Sequence, residues 1–153
     1  MISPQYAAGF FDGEGCVNLT TYGKNRQVNI RVYLINTDAD ILRLFQCHFG
    51  GRLGAPRVSK EGWKAFRNLV WTGVAAIDFL RIIQPFVILK VAQIKLALEY
   101  WDFARSPKAD RCEWLPAPIP TAPWRTVNKR TSETIAKELE FKERMHVLNR
   151  KGA

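Results

Sequence analysis

The chain has 153 residues, 47% of them hydrophobic and 12% aromatic, which is enough apolar material for a genuine core and too much for a disordered chain. The 23 Lys and Arg outnumber the 14 Asp and Glu and leave a net charge of +9, a balance that favours a polyanionic partner such as nucleic acid and is also met in merely basic soluble proteins. Cys16, Cys47 and Cys112 form no Cys-x-x-Cys pair, and His48 and His146 are the only histidines, which argues against a disulfide framework, a zinc site and a histidine-based triad.

The first element is Ala7-Ala8-Gly9-Phe10-Phe11-Asp12-Gly13-Glu14-Gly15, a short helix with small residues on one side. Gly9 and Gly13 are four apart and share a face with Ala8, where a second helix can approach closely. Glu14 falls at the helix-to-strand corner, at the negative end of the helix dipole, where a carboxylate calls for a cation. Two such helices side by side would bring two carboxylates together, and divalent metal would relieve their repulsion. The same residues also fit an ordinary amphipathic helix with a glycine-rich exit.

Cys16 to Tyr22, a polar turn at Gly23-Lys24-Asn25-Arg26, and Gln27 to Ile35 read as a β-hairpin. Val28, Ile30, Val32 and Leu34 alternate with Gln27, Asn29, Arg31 and Tyr33, and the first arm sets Asn18, Thr20 and Tyr22 opposite Val17 and Leu19. The polar face holds amides, hydroxyls and a guanidinium but no acid. Such groups pair with base edges in a major groove, although a solvated sheet face has a related make-up. Thr37 reads as the cap of a second helix that runs to Gly50-Gly51, with Asp38 and Asp40 in its first turn.

A second hairpin is expected from Arg52 to Lys60 and from Lys64 to Thr72, turning near Glu61-Gly62; Trp63 and Trp71 fit core or surface. Arg57, Lys60, Lys64 and Arg67 supply its positive charge. Gly73 opens a helix stopped by Gln84-Pro85, a longer helix spans Ile88 to Ala104, and the apolar stretch from Ile82 to Leu89 reads as core rather than as a membrane span. Residues 106–130 are proline-rich and read as an irregular connector after a 1–105 core. Thr131-Ser132-Glu133-Thr134 then starts a final helix in a 131–153 tail, with Lys129 and Arg130 just before it. The order predicts an α+β fold: two hairpins joined into a four-stranded antiparallel sheet, helices on one face and the polar, basic face left open. With one glycine-flanked acid, a single chain supplies half a saddle. No signal peptide precedes the first helix, which points to an intracellular protein that is not secreted.

Residues 7–15 closely resemble the signature of the LAGLIDADG homing endonucleases, with both glycines and both acids in place. The resemblance extends to Asn36-Thr37-Asp38-Ala39-Asp40-Ile41-Leu42, Phe49-Gly50-Gly51, Gln84-Pro85-Phe86-Val87-Ile88-Leu89-Lys90 and Thr131-Ser132-Glu133-Thr134-Ile135. It is similar to the single-motif, homodimeric group, and so implies an αββαββα fold, a saddle over DNA, and a dimer interface at Ala8, Gly9, Asp12 and Gly13. It also implies a metal-binding acid at Glu14, assisted by Gly13, a water-positioning amide at Asn36 and a cation at Lys90. Asp40 departs from the pattern, because a basic residue is usual there.

The implied activity is that of an intron-encoded, Mg2+-dependent endonuclease, with Mn2+ able to substitute and Ca2+ binding without cleavage. It would make a double-strand break with short 3′ overhangs in a long pseudo-palindromic DNA target, without a membrane or small-molecule cofactor, in a prokaryotic cytoplasm or an organelle. Each arm would cover roughly seven base pairs, since about seven strand residues span some 24 Å. Asn18, Thr20, Tyr22, Lys24, Asn25, Arg26, Gln27, Asn29, Arg31 and Tyr33 would face DNA, together with Arg57, Lys60, Lys64, Arg67, Lys129 and Arg130. The alternatives are a non-cleaving binder of the same fold, either an intron RNA maturase or a transcription regulator, and a basic ribosome-associated protein.

Overall fold

The computed structural model describes residues 2–22, 27–106, 112–115 and 127–150. Helix α1 (Pro4–Glu14) is started by Ser3, whose hydroxyl accepts from the Tyr6 N–H, and by Pro4 at its first position. It runs without a loop into β1 (Gly15–Tyr22), which pairs antiparallel with β2 (Gln27–Asn36) in the expected hairpin. Helix α2 (Ala39–Phe49) is capped by Asp38 and not by Thr37, because the Asp38 carboxylate reaches the N–H groups of Asp40 at 2.8 Å and Ile41 at 3.3 Å. Gly50 ends α2 at φ +68°, a left-handed conformation open to glycine.

The second hairpin turns where expected but its strands are shorter. β3 is only Arg52–Leu53, pairing resumes at an Arg57–Phe66 bridge, and β4 covers Arg67–Thr72. Pro56 lies in the interrupted stretch, where it cannot donate to a ladder. The sheet order is β1-β2-β4-β3, antiparallel throughout, as the two-hairpin pattern predicts. At the β4 exit, Gly73 takes φ +57° and turns the chain directly into α3 (Gly73–Ile83), which is followed by a 3-10 turn at Gln84–Phe86.

Helix α4 (Val91–Arg105) starts three residues later than expected. The proline-rich segment is not wholly irregular, since β5 (Cys112–Leu115) and β6 (Val127–Arg130) pair as a two-stranded ribbon. Helix α5 (Ser132–Arg150) begins at the predicted cap, with the Thr131 hydroxyl accepting from the Thr134 N–H. Among the described residues no helix is long and apolar enough to cross a membrane.

Val17, Leu19, Val28, Ile30, Val32, Leu34, Leu69 and Trp71 turn one sheet face onto the helices. Trp71 is therefore core: its ring stacks on Phe79 with centroids 4.3 Å apart, and its Nε1 donates to the Phe49 carbonyl at 2.8 Å. Trp63 is exposed. Ile83 and Val87 are buried, but Ile82, Phe86, Leu89 and above all Ile88, 81% exposed, are not, so the stretch read as core presents much of its apolar surface outward. The other sheet face is uncovered by α1 to α4 and carries the polar residues.

Candidate functional site

Glu14 is the last residue of α1 and is exposed, at the helix end where backbone carbonyls concentrate negative charge. No cationic side chain among the described residues pairs with it. Gly15, immediately after it, has extended backbone. A Cβ there would fall 2.2 Å from the Phe11 ring, so close packing rather than left-handed conformation excludes a side chain. Gly9 and Gly13 are exposed, and a Cβ on either would meet nothing within 4 Å. Ala8 differs: it is 0% exposed and packs in the chain's own core, so the open stripe consists of Gly9 and Gly13 without it.

Asp12 also turns inward. Its carboxylate accepts from the N–H groups of Ile88 at 2.8 Å, Leu89 at 3.2 Å and Lys90 at 3.2 Å, which caps the approach to α4 and explains the helix's later start. The Lys90 ammonium in turn donates to the Asp12 main-chain carbonyl. The two residues form a brace that fixes the last turn of α1 against the α3–α4 junction, with Lys90 beside the helix end that carries Glu14. Asp12 is thus engaged within the chain and unavailable as a contact on an open face.

Three strand ends gather at this end of the sheet. Gly15 pairs with Leu34, so Glu14 stands level with the end of β2. Asn36 is the last residue of β2 and lies opposite Arg67, the first of β4. The Asn36 side-chain oxygen accepts from the Asp38 N–H at 2.8 Å, so the amide helps to start α2. Asp40 pairs with Arg43 at 2.6 Å on the exposed face of α2, which neutralises the acid that departs from the expected pattern. Among the described residues no three His, Cys, Asp or Glu side chains converge, so Glu14 forms no multi-carboxylate centre within one chain.

The outward sheet face is concave. Thr20, Asn29, Arg31, Arg52, Val70 and Thr72, drawn from all four strands, line a cavity of about 560 Å³. Arg52 and Thr72 were missed from the sequence; the signal was the inward pair Leu69 and Trp71, whose alternation turns Asn68, Val70 and Thr72 outward. Gln27, Asn29 and Arg31 are exposed as expected. Asn18 is already engaged: its Nδ2 donates to the Tyr33 hydroxyl at 3.2 Å and its Oδ1 accepts from Asn149 at 2.7 Å. Burial, followed by the neighbouring Cys16, pushes the Tyr33 hydroxyl up to about 12, so it faces the cavity side as a neutral group.

Arg57, Lys60 and Lys64 are exposed between β3 and β4, with the Lys60 ammonium 5.4 Å from the centre of the Trp63 ring. Arg130 forms an ion pair with buried Glu138 of α5 and is not a free phosphate contact. Tyr22 closes β1 and Lys129 lies in β6. Lys24, Asn25 and Arg26 lie outside the described residues.

No protein-family model matches this chain, and no curated protein does. Solved structures do. The homing endonuclease I-CvuI, in complex with its target and calcium, is 19% identical over 95% of this chain and 80% of its own, with a TM-score of 0.65. The homing endonuclease I-TnaI is 17% identical over 98% of this chain and 97% of its own, at 0.61. The LAGLIDADG meganuclease I-AabMI, bound to uncleaved DNA, is 17% identical over 93% of this chain but 46% of its own, at 0.65. The chain has an α+β fold with a helix-backed antiparallel saddle. That fold is the LAGLIDADG fold of the homing endonucleases.

Proposed function

We propose that this chain is a site-specific DNA endonuclease of the intron-encoded homing type, acting as a homodimer that hydrolyses one phosphodiester bond in each strand. The observation that carries this reading is Glu14: an exposed carboxylate without a cationic partner among the described residues, at a helix end that disfavours its charge, beside a concave basic sheet face. The DNA-bound similar structures support duplex DNA as the partner.

The donor set suits a hard divalent cation. Glu14 offers carboxylate oxygens, and Gly13 is among the last-turn residues whose carbonyls lack an intrahelical donor. Mg2+ held there would supply Lewis-acid stabilisation of the phosphate and a more acidic bound water. Asn36 orients water at the end of β2, and Lys90, held beside α1, places positive charge near the phosphate. The outward residues of β1 to β4 hold the duplex and read its bases.

The dimer rests on three further observations. Gly9 and Gly13 leave room for a second backbone, and exposed Ile82, Phe86, Ile88 and Leu89 lie on the α3–α4 junction that packs against α1. One copy also spans about half of I-AabMI.

The test uses the DNA flanking the reading frame: the joined exons, incubated with wild-type and Glu14→Gln protein, with and without Mg2+. The expected result is a double-strand break by the wild type with metal alone. Tight binding by both proteins with no break would instead assign the fold to a non-cleaving binder.

A further inference from the structure

We infer that Arg67 is a catalytic residue that holds the scissile phosphate beside Asn36, an inference that rests on the endonuclease reading above. The placement comes from register. Glu14 precedes the first residue of β1, Asn36 ends β2 and Arg67 begins β4, and these three strands are consecutive in the sheet. Neighbouring strands lie about 4.8 Å apart, so the Glu14 and Arg67 backbones are separated by roughly 10 Å, a gap the two long side chains can close around one phosphate group.

Parity adds to this. Arg67 falls on the same side of β4 as Leu69 and Trp71, and Asn36 on the same side of β2 as Val32 and Leu34. The guanidinium and the amide are therefore cross-strand neighbours on one face, apart from the outward residues that line the cavity.

Charge makes the site one for an anion. Arg67 is half-buried, yet no carboxylate among the described residues lies within ion-pair distance of it. Asp40, in the first turn of the following helix, is occupied by Arg43. A partly desolvated guanidinium without a carboxylate is unfavourable in the free protein and is relieved when a phosphate arrives, with two oxygens in the planar geometry that the fork matches. Lys90 contributes its charge from the α1 side while its ammonium donates to the Asp12 carbonyl, which leaves direct contact with the phosphate at the β2–β4 strand ends to Arg67. Developing negative charge on the phosphate is best stabilised by a donor that starts close to it, and the β2–β4 register fixes the Arg67 backbone opposite Asn36 before DNA arrives.

The experiment is single-turnover cleavage of the joined-exon duplex at saturating protein with Mg2+, paired with dissociation constants measured in Ca2+, for wild type, Arg67→Ala, Arg67→Lys and Glu14→Gln. Thermal unfolding of each variant checks folding. Arg67→Ala should lower the saturated rate at least 100-fold while changing the dissociation constant less than threefold. Arg67→Lys, which keeps the charge and loses the fork, should fall between, and free guanidinium at millimolar concentration should restore part of the Arg67→Ala rate. A weakened dissociation constant with an unchanged saturated rate would make Arg67 an ordinary backbone anchor and overturn the inference while leaving the endonuclease reading intact. A wild type that binds the duplex without cutting it would sink the endonuclease reading and this inference together.

Discussion

At the residue scale the decisive group is Asp12, whose one carboxylate satisfies three main-chain N–H groups and fixes the junction that holds Lys90. Charge-assisted bonds of this kind contribute more than neutral ones, and losing the acceptor leaves part-buried donors unpaired. Asp12→Ala should therefore destabilise the fold by about 2–3 kcal/mol, read from urea unfolding midpoints, with Asp12→Asn roughly half as severe. An unchanged midpoint would show that the brace is not structural. Tyr33 supplies a pH test. Its hydroxyl ionises near 12 in the folded chain against 10 when free, so its neutral form contributes stability below pH 10, and that contribution is lost as pH rises through 12. Tyr33→Phe should flatten the fall in stability between pH 10 and 12, and ultraviolet titration of the phenolates should lose the component that ionises near 12.

At the scale of the element, α1 separates two uses of glycine. Gly15 is required inside the subunit, because a methyl group would strike the Phe11 ring, so Gly15→Ala should cost about 1–3 kcal/mol in thermal or urea unfolding. Gly13 faces open space in one chain. Gly13→Leu should leave unfolding of the subunit nearly unchanged and shift sedimentation from a dimer to a monomer; a variant that still sediments as a dimer would place the interface elsewhere. Elements of this kind are legible when local pattern and packing agree. The alternation of β2 is clean because one of its faces is wholly buried, and the helix-to-strand switch at Gly15 shows in the change of hydrophobic period.

Other features depend on distant partners. Asp12 meets groups 76 to 78 residues away, so nothing near it in sequence identifies it as a cap for α4. Thr37 and Asp38 are both competent caps, and only the backbone path decides that Asp38 reaches the free N–H groups. The apolar residues from Ile82 to Leu89 look uniform in sequence, but the 3-10 turn splits them between core and surface. The pairing of Arg67 with Asn36 needs the β2–β4 register, which joins two hairpins separated by α2.

At the scale of the whole molecule, the sheet's two edges are treated differently. β3 is only two residues long, whereas β1 is an eight-residue edge that would invite pairing with another chain. Helix α5 covers it: Phe141 and Met145 are buried, and Asn149 donates to the Val17 carbonyl at 2.9 Å. The open area is thereby confined to the concave face, flanked by exposed cations on the β3–β4 connection. On the proposed reading, this arrangement would separate residues that hold DNA from residues that read it.

Arg57 is exposed away from the cavity, whereas Arg31 lines it beside Asn29 and Thr20. In the proposed twofold complex each substitution acts twice. Arg57→Ala should lower the magnitude of the slope of log K against log salt by about 1.8, since each neutralised phosphate contributes about 0.9, and weaken all duplexes alike. Arg31→Ala should relax discrimination at its base pair by about 1–3 kcal/mol per half-site, because a side chain in the groove carries sequence information that a backbone contact lacks. Filter binding of target and single-mismatch duplexes across a salt series measures both quantities. Identical profiles for the two variants would mean that the concave face holds DNA by charge alone, leaving its sequence to be read through the shape and bending of the duplex.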